Sequence, residues 1–145
     1  MRRNLPFLFI LLTVLVGVAV FAGRGSPASA AGPMCMTRPA TVVLGAGDLP
    51  TDDFDVILGT PGPDVINALG GNDVICGAGG NDVINGGPGL EDVRGGPGAD
   101  RLRGGANEDW LHGGPGPDVL RGGTGSDTCP LGAGDTRISC ELSDS

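Results

Sequence analysis

Acidic side chains recur at a fixed interval of nine residues through the second half of the chain. The acidic set is Asp55, Asp64, Asp73, Asp82, Glu91, Asp100, Asp109, Asp118 and Asp127. Carboxylates are hard oxygen donors, the type of ligand that Ca²⁺ and Mg²⁺ prefer in proteins. Their regular spacing makes all nine residues candidate metal ligands.

These carboxylates belong to a nine-residue sequence repeat. From Gly59 to Pro130 the chain divides without a gap into eight units, and a partial unit, DFDVIL, precedes them. Glycine fills most first, second and fourth positions, where it permits tight turns. The eighth position holds Ile57, Ile66, Ile75, Ile84, Val93, Leu102, Leu111, Leu120 and Cys129. Because side chains alternate along a strand, we expect this apolar position to point inward and its two neighbours to point outward.

The pattern resembles the RTX, or hemolysin-type calcium-binding, nonapeptide family, whose consensus is G-G-x-G-x-D-x-U-x with an apolar residue at U. The resemblance covers residues 55–130. It implies an all-β fold, a right-handed parallel β-roll with two repeats per turn. It also implies several Ca²⁺ ions between neighbouring coils, held by backbone carbonyls and by the nine acidic residues. Two repeats per turn would stack the carboxylates 18 residues apart, in two columns.

Stacked carboxylates favour a bound cation. At the strand spacing of about 4.8 Å, two carboxylates repel each other by about 3 kcal/mol at an effective dielectric constant of about 20. Calcium suits an irregular cage of carbonyls and carboxylates better than magnesium does, because magnesium requires regular octahedral geometry. We therefore predict that the unloaded repeats are largely disordered and fold on binding calcium. Glu91 replaces Asp and Asn107 replaces the fourth glycine, so the weakest sites are expected there.

The first thirty residues are typical of a secretory signal peptide. Arg2 and Arg3 precede an apolar run, and Ala28-Ser29-Ala30 is an A-x-A cleavage motif. We predict cleavage and secretion, with an uncleaved membrane anchor as the alternative. The predicted domains are a signal peptide (1–30), an N-terminal cap with an irregular first rung (31–54), the RTX repeats (55–130) and a C-terminal cap (131–145).

Composition limits the partners of the mature chain. Beyond residue 30, six arginines stand against seventeen acidic residues, a net charge of −11, and the chain contains no lysine. Such a balance attracts cations and repels nucleic acid and anionic membrane. We expect calcium ions as partners, no nucleic acid, no membrane after cleavage, and a cell-surface or matrix partner whose identity stays open.

All four cysteines lie beyond the predicted cleavage point. An even number in an exported chain predicts two disulfides, for which three connectivities exist. The family resemblance favours Cys35–Cys76 and Cys129–Cys140. Each of these bonds would pin a terminal cap over an open end of the solenoid.

Residues for catalysis are scarce. His112 is the single histidine, so the chain has neither an HExxH zinc motif nor the parts of a Ser-His-Asp triad. We predict that the protein is not an enzyme but a secreted calcium-binding β-roll with a structural or surface-binding role. The alternative is a metal-independent, disulfide-stapled solenoid with an adhesive or ice-binding role.

Overall fold

The computed structural model describes residues 34–140, and the signal peptide predicted for residues 1–30 lies outside that range. The described part contains twelve β-strands and no helix long and apolar enough to cross a membrane. The strands are β1 (Met34–Cys35), β2 (Arg38–Pro39), β3 (Val42–Val43), β4 (Val56–Leu58), β5 (Val65–Asn67), β6 (Val74–Cys76), β7 (Val83–Pro88), β8 (Asp92–Arg94), β9 (Arg101–Ala106), β10 (Trp110–His112), β11 (Val119–Thr124) and β12 (Thr136–Ile138).

Ten of these strands form two parallel sheets of five strands each. The first sheet has the order β10-β8-β6-β4-β3 and the second has the order β12-β11-β9-β7-β5. From β4 to β11 the chain passes from one sheet to the other with each repeat, so a strand pairs with the strand two repeats later. Ile84, for example, lies opposite Leu102, which lies opposite Leu120. The parallel β-roll with two repeats per turn, which the family resemblance implies, is confirmed.

The core of the roll is a single file of apolar side chains from each sheet. The eighth-position residues are at most 2% exposed, and they are Ile57, Ile66, Ile75, Ile84, Val93, Leu102, Leu111, Leu120 and Cys129. Most strands are only three residues long, so each gives one inward side chain to this core. Burying one such aliphatic side chain contributes about 1.5–3 kcal/mol.

A second apolar cluster lies outside the roll. Val56 and Val74 occupy seventh positions, which were expected to point to solvent, yet both are buried. The antiparallel hairpin of β1 and β2 explains this difference, because its buried Cys35 packs against both valines. The expectation of an exposed seventh position was therefore wrong at these two residues.

Both predicted disulfides are present. Cys35 bonds Cys76 at the end of β6, with a Cα–Cα distance of 5.6 Å, and so ties the N-terminal hairpin to the first sheet. Cys129 bonds Cys140 with a Cα–Cα distance of 5.8 Å, just after β12 has paired with β11. Cys129 also belongs to the buried core, so this second bond anchors the last coil from inside.

Close stacking of the coils constrains the turns. Gly114 has φ +113°, and a Cβ at this position would collide with the carbonyl oxygen of Gly96 in the coil before. Leu69, Ala78 and Asn107 adopt left-handed φ values of 74°, 81° and 79°. L-residues other than Asn pay about 1–2 kcal/mol for this conformation, so Leu69 and Ala78 store strain in the early coils.

Candidate metal centre

Each sixth-position carboxylate lies in the turn that leads into a strand, and the two-repeat coil stacks these residues in two columns. One column contains Asp64, Asp82, Asp100 and Asp118, and the other contains Asp55, Asp73, Glu91, Asp109 and Asp127. All except Asp64 are buried, with 5% or less of their surface exposed. The structure thus brings the nine predicted residues together as the 18-residue spacing requires.

Hydrogen bonds between coils hold one oxygen of most of these carboxylates. The backbone amide of Asp82 donates to Oδ1 of Asp100 over 2.8 Å, and the amide of Asp100 donates to Oδ1 of Asp118 over 2.8 Å. In the other column the Asp109 amide donates to Oδ1 of Asp127 over 3.0 Å. This ladder fixes the rotamers of the carboxylates and leaves their second oxygens pointing elsewhere.

In most of the column carboxylates the second oxygen is buried and has no hydrogen-bond partner. This holds for Oδ2 of Asp73, Asp82, Asp100, Asp109, Asp118 and Asp127, and for both carboxylate oxygens of Glu91. An unpaired buried polar atom costs about 1–3 kcal/mol, and more when it is charged. Seven residues that each bury an unpaired carboxylate oxygen are typical of a site that binds a cation.

Backbone carbonyls supply further oxygens at the same points. A Cβ added to Gly95 would meet both Oδ2 of Asp100 and, at 2.7 Å, the carbonyl oxygen of Gly113 in the next coil. Gly77 occupies the same position relative to Asp82 and the carbonyl oxygen of Gly95, which would lie 2.6 Å away. The absence of a side chain at these glycines therefore opens a cradle lined by a carboxylate oxygen and a carbonyl oxygen.

The donor set of this cradle fits calcium. Between residues 34 and 140, no three His, Cys, Asp or Glu side chains converge on one point, so a site made only of side chains is not present there. Hard, irregularly placed carbonyl and carboxylate oxygens are the ligands of Ca²⁺ rather than of zinc. The candidate ligands are the unpaired Asp oxygens together with the glycine carbonyls beside them.

Burial makes the ionised carboxylates costly in the absence of a cation. It raises the pKa of Asp100 from 3.8 to about 6, although the hydrogen bond from the Asp82 amide acts in the opposite direction. Burial is also the main cause that raises the pKa values of Asp73, Asp82, Asp109 and Asp118. Neighbouring carboxylates in the columns add to the shift at Asp73, Asp82 and Asp100. A divalent cation between the coils would remove this penalty.

Glu91 is the most perturbed member of the columns. Burial raises its pKa from 4.5 to about 9, and the neighbouring Asp109 is the second cause. Its side chain is one methylene longer than Asp, and a Cβ at Gly86 would meet its Cγ, where other repeats place Oδ2. The carboxylate of Glu91 is thus displaced relative to its column, and the expectation of a weaker calcium site there stays a prediction.

Two predicted residues have different partners from the rest. Oδ2 of Asp55 accepts hydrogen bonds from the amide (2.7 Å) and the hydroxyl (3.0 Å) of Thr51. Oδ2 of Asp64 accepts the amide of Thr60 over 2.6 Å and its hydroxyl over 3.1 Å. In the later members of each column the corresponding carboxylate oxygen has no hydrogen-bond partner. In Asp55 and Asp64, the first member of each column, a threonine donates hydrogen bonds to it. Metal ligation by Asp55 and Asp64 stays a prediction.

Asp135 is a further member of the carboxylate ladder, which the nine-residue pattern did not reveal. Its Oδ1 accepts the amide of Asp118 over 3.0 Å, and its Oδ2 accepts the amide of Gly132 over 2.6 Å. Asp135 follows Asp118 by 17 residues rather than 18, so it falls out of the nine-residue count. The segment GAGDTRI at residues 132–138 carries the signal, since it matches the repeat with one residue deleted.

Asp92 is a second acidic residue whose partly buried position the sequence pattern did not reveal. It lies between Val74 and Trp110 on the first sheet, at a seventh position, which was expected to point outward. Its Oδ1 is buried without a hydrogen-bond partner, and burial raises its pKa while the nearby Arg94 lowers it.

The fold and the two carboxylate columns define a calcium-binding β-roll, and a comparison with known families agrees. The profile of the RTX calcium-binding nonapeptide repeat matches residues 51–84, 85–120 and 104–138, which together make up more than half of the chain. The chain belongs to the RTX calcium-binding nonapeptide repeat family. No curated protein and no solved structure gave a match.

Proposed function

We propose that this protein is a secreted, non-enzymatic β-roll that folds when several Ca²⁺ ions bind between its coils, and that the folded roll serves as a structural or surface-binding module. The observation that carries the proposal is the row of buried, unpaired carboxylate oxygens, which repeats from coil to coil. Each bound calcium ion would neutralise stacked carboxylates that otherwise repel each other across one coil spacing.

The chain's own residues explain why binding and folding would be coupled. The amide-to-Oδ1 hydrogen bonds can form only when two coils are stacked, because donor and acceptor are 18 residues apart. The carbonyl of Gly113 comes close to Oδ2 of Asp100 only in the same stacked state. A ligand that binds the folded chain but not the unfolded chain stabilises the fold by mass action.

The two disulfides and the predicted signal peptide support the proposed extracellular setting. Structural disulfides persist in oxidising compartments, and both pairs here join a chain end to the roll. Expression of the full chain in a secreting bacterial host would test this part. We expect a mature protein in the medium that begins at Ala31 and has no free thiol. A protein retained in the membrane fraction with an intact N-terminus would contradict it.

A catalytic role finds no support in the described residues. His112 is exposed and stacks on Trp110, with ring centroids 5.7 Å apart, rather than facing a nucleophile. The buried acidic residues between residues 34 and 140 all belong to the columns, and Asp92, whose Oδ1 is buried, lies beside them.

Calorimetric titration of the mature, disulfide-bonded protein with calcium tests the binding claim. We expect saturable binding of more than one ion, and little heat from magnesium at the same concentration, because magnesium does not suit the irregular oxygen cage. Removal of the unpaired oxygens by Asp82→Asn and Asp118→Asn should reduce the number of bound ions. The matched control is Asp52→Asn with Glu108→Gln, which removes two exposed charges. Equal binding by both double variants would contradict the assignment of the site.

A further inference from the structure

The outer face of the second sheet carries an unbalanced positive charge. We call the exposed side chains of Arg101, Arg103 and Arg121 on β9 and β11 the arginine face. It contains half of the six arginines beyond residue 30. Arg103 lies directly opposite Arg121 in the strand register, and Arg101 lies opposite Val119. The three guanidinium groups therefore stand on two adjacent strands about 4.8 Å apart.

The arginine face has no counter-charge of its own. None of its three arginines forms an ion pair with another residue in the range 34–140. The other outward positions of the described strands of this sheet are also free of acidic residues; they are Val65, Asn67, Val83, Asn85, Val119, Thr136 and Ile138. Like charges directly opposite each other destabilise a sheet.

Arginines elsewhere in the described chain do have partners within the protein. On the first sheet, Arg94 stacks over the Trp110 ring at 5.3 Å, and its charge acts on the carboxylate of Asp92. Arg38 of the N-terminal hairpin stacks over Phe54 at 5.6 Å. These two arginines have partners within the protein, whereas none of the three arginines of the arginine face has one among residues 34–140.

The arginine face also has a shape that can receive a ligand. A groove of about 350 Å³ runs between its arginines and is lined by Val83, Asn85 and Val119. Val83 is 41% exposed and Val119 is partly exposed, so apolar methyl groups alternate with guanidinium groups along the groove. Asn85 lies at its edge and donates to Asn67 over 2.8 Å, which leaves amide groups at the surface.

We propose that the arginine face binds an acidic polysaccharide. Guanidinium groups bind carboxylate and sulfate oxygens through paired hydrogen bonds, the valine methyls can pack on the apolar faces of sugar rings, and the asparagine amides can bond hydroxyls. The groove lacks the aromatic side chains on which single-stranded nucleic acids stack, so a sugar chain fits better than a nucleotide chain. The inference rests on the proposed function, since the face exists only in the folded, calcium-loaded roll.

Binding of the calcium-loaded mature chain to immobilised polymers tests the proposal. The probes are hyaluronate, which carries carboxylates, dextran sulfate, which carries sulfates, neutral dextran, and a single-stranded oligonucleotide as the competing class. We expect binding to one or both anionic polymers, weakened by salt, and none to neutral dextran. Arg103→Gln with Arg121→Gln should weaken binding roughly tenfold or more, because two charge-assisted contacts are lost. Arg38→Gln with Arg94→Gln removes the same charge elsewhere and should leave binding unchanged.

Several outcomes would overturn the proposal. Equal loss in both double variants would show that only net charge matters, and tighter binding of an oligonucleotide would assign the face to nucleic acid. A wild-type chain that binds calcium and folds, yet binds neither anionic polymer, would remove the inference and leave the proposed function intact. A chain that neither binds calcium nor folds would remove both, and circular dichroism of each sample separates these cases.

Discussion

Replacement of Asp100 by Asn separates the charge of a column carboxylate from its hydrogen bond. Asn keeps an Oδ1 that can accept the amide of Asp82, so the inter-coil bond of 2.8 Å can persist. It removes the buried negative charge whose second oxygen has no partner. The substitution should therefore have opposite effects on the free energy of unfolding in the absence and in the presence of calcium.

The magnitude follows from the pKa of Asp100. A rise from 3.8 to about 6 means that the ionised form costs the calcium-free fold about 3 kcal/mol at neutral pH, since each pKa unit corresponds to about 1.4 kcal/mol. Asp100→Asn should stabilise the calcium-free fold by up to that amount. In saturating calcium the variant should be less stable than the wild type, because a charged ligand is lost and calcium affinity falls by roughly tenfold or more.

Urea unfolding followed by far-ultraviolet circular dichroism measures both effects, once in chelator with an osmolyte to populate the fold and once in calcium. Glu108→Gln is the matched control, because it removes the same charge from an exposed turn and should change stability by less than about 0.5 kcal/mol. The reasoning is refuted if Asp100→Asn destabilises the protein in chelator or matches Glu108→Gln in both conditions.

Three further predictions concern pH, the turns and the N-terminal disulfide. Because burial raises the folded-state pKa of Glu91 to about 9, the calcium-free fold should be most stable below the ordinary value of 4.5 and should lose stability as pH rises through about 9. Gly114→Ala should destabilise the calcium-loaded roll more than Gly47→Ala does, because a Cβ at Gly114 would collide with the carbonyl oxygen of Gly96. Gly47 has a similar φ of +96° but open space around it, so Gly47→Ala should cost only about 1–2 kcal/mol, the cost of the left-handed conformation. Loss of the Cys35–Cys76 bond, which closes a 41-residue loop, should cost about 4 kcal/mol.

Each of these predictions has a direct measurement and a contrary result. For pH, the readout is urea unfolding from acidic to alkaline pH, in chelator with the osmolyte that populates the fold, and stability that increases with pH would contradict the desolvation argument. For the glycines, thermal unfolding in calcium compares the two variants, and equal losses would show that coil contact does not limit the turn. For the disulfide, the double Cys→Ala variant is compared with the wild type in calcium, and an unchanged free energy of unfolding would show that the hairpin is held without it.

The nine-residue period, together with the family resemblance that it carries, predicted almost all of the fold. The period places Ile84, Leu102 and Leu120 two repeats apart, and these residues are neighbours in one sheet. The two repeats per turn come from the family resemblance. With them and the period known, each short strand contributes one inward side chain and little else in the architecture is left open. The disulfide pairing required the family resemblance, because position alone allows three connectivities.

The parts that were not predictable lie where the repeat stops or is covered. Asp135 joins the ladder from a unit that is one residue short, and a strict nine-residue count passes over it. Val56 and Val74 are buried because a hairpin outside the repeat covers them, and the period contains no information about that hairpin. The sequence also could not show that the arginine face has no ion-pair partner among residues 34–140, because this depends on which residues share one sheet surface.

Far-ultraviolet circular dichroism of the mature, disulfide-bonded chain at neutral pH, recorded in chelator, then in calcium, then in chelator again, tests the central claim most directly. The repulsion between stacked, buried carboxylates predicts little β signal in chelator, a cooperative gain of β signal with calcium, and its loss when calcium is removed. A full β signal in chelator that calcium does not change would contradict the claim and would favour a solenoid held by its core and disulfides alone.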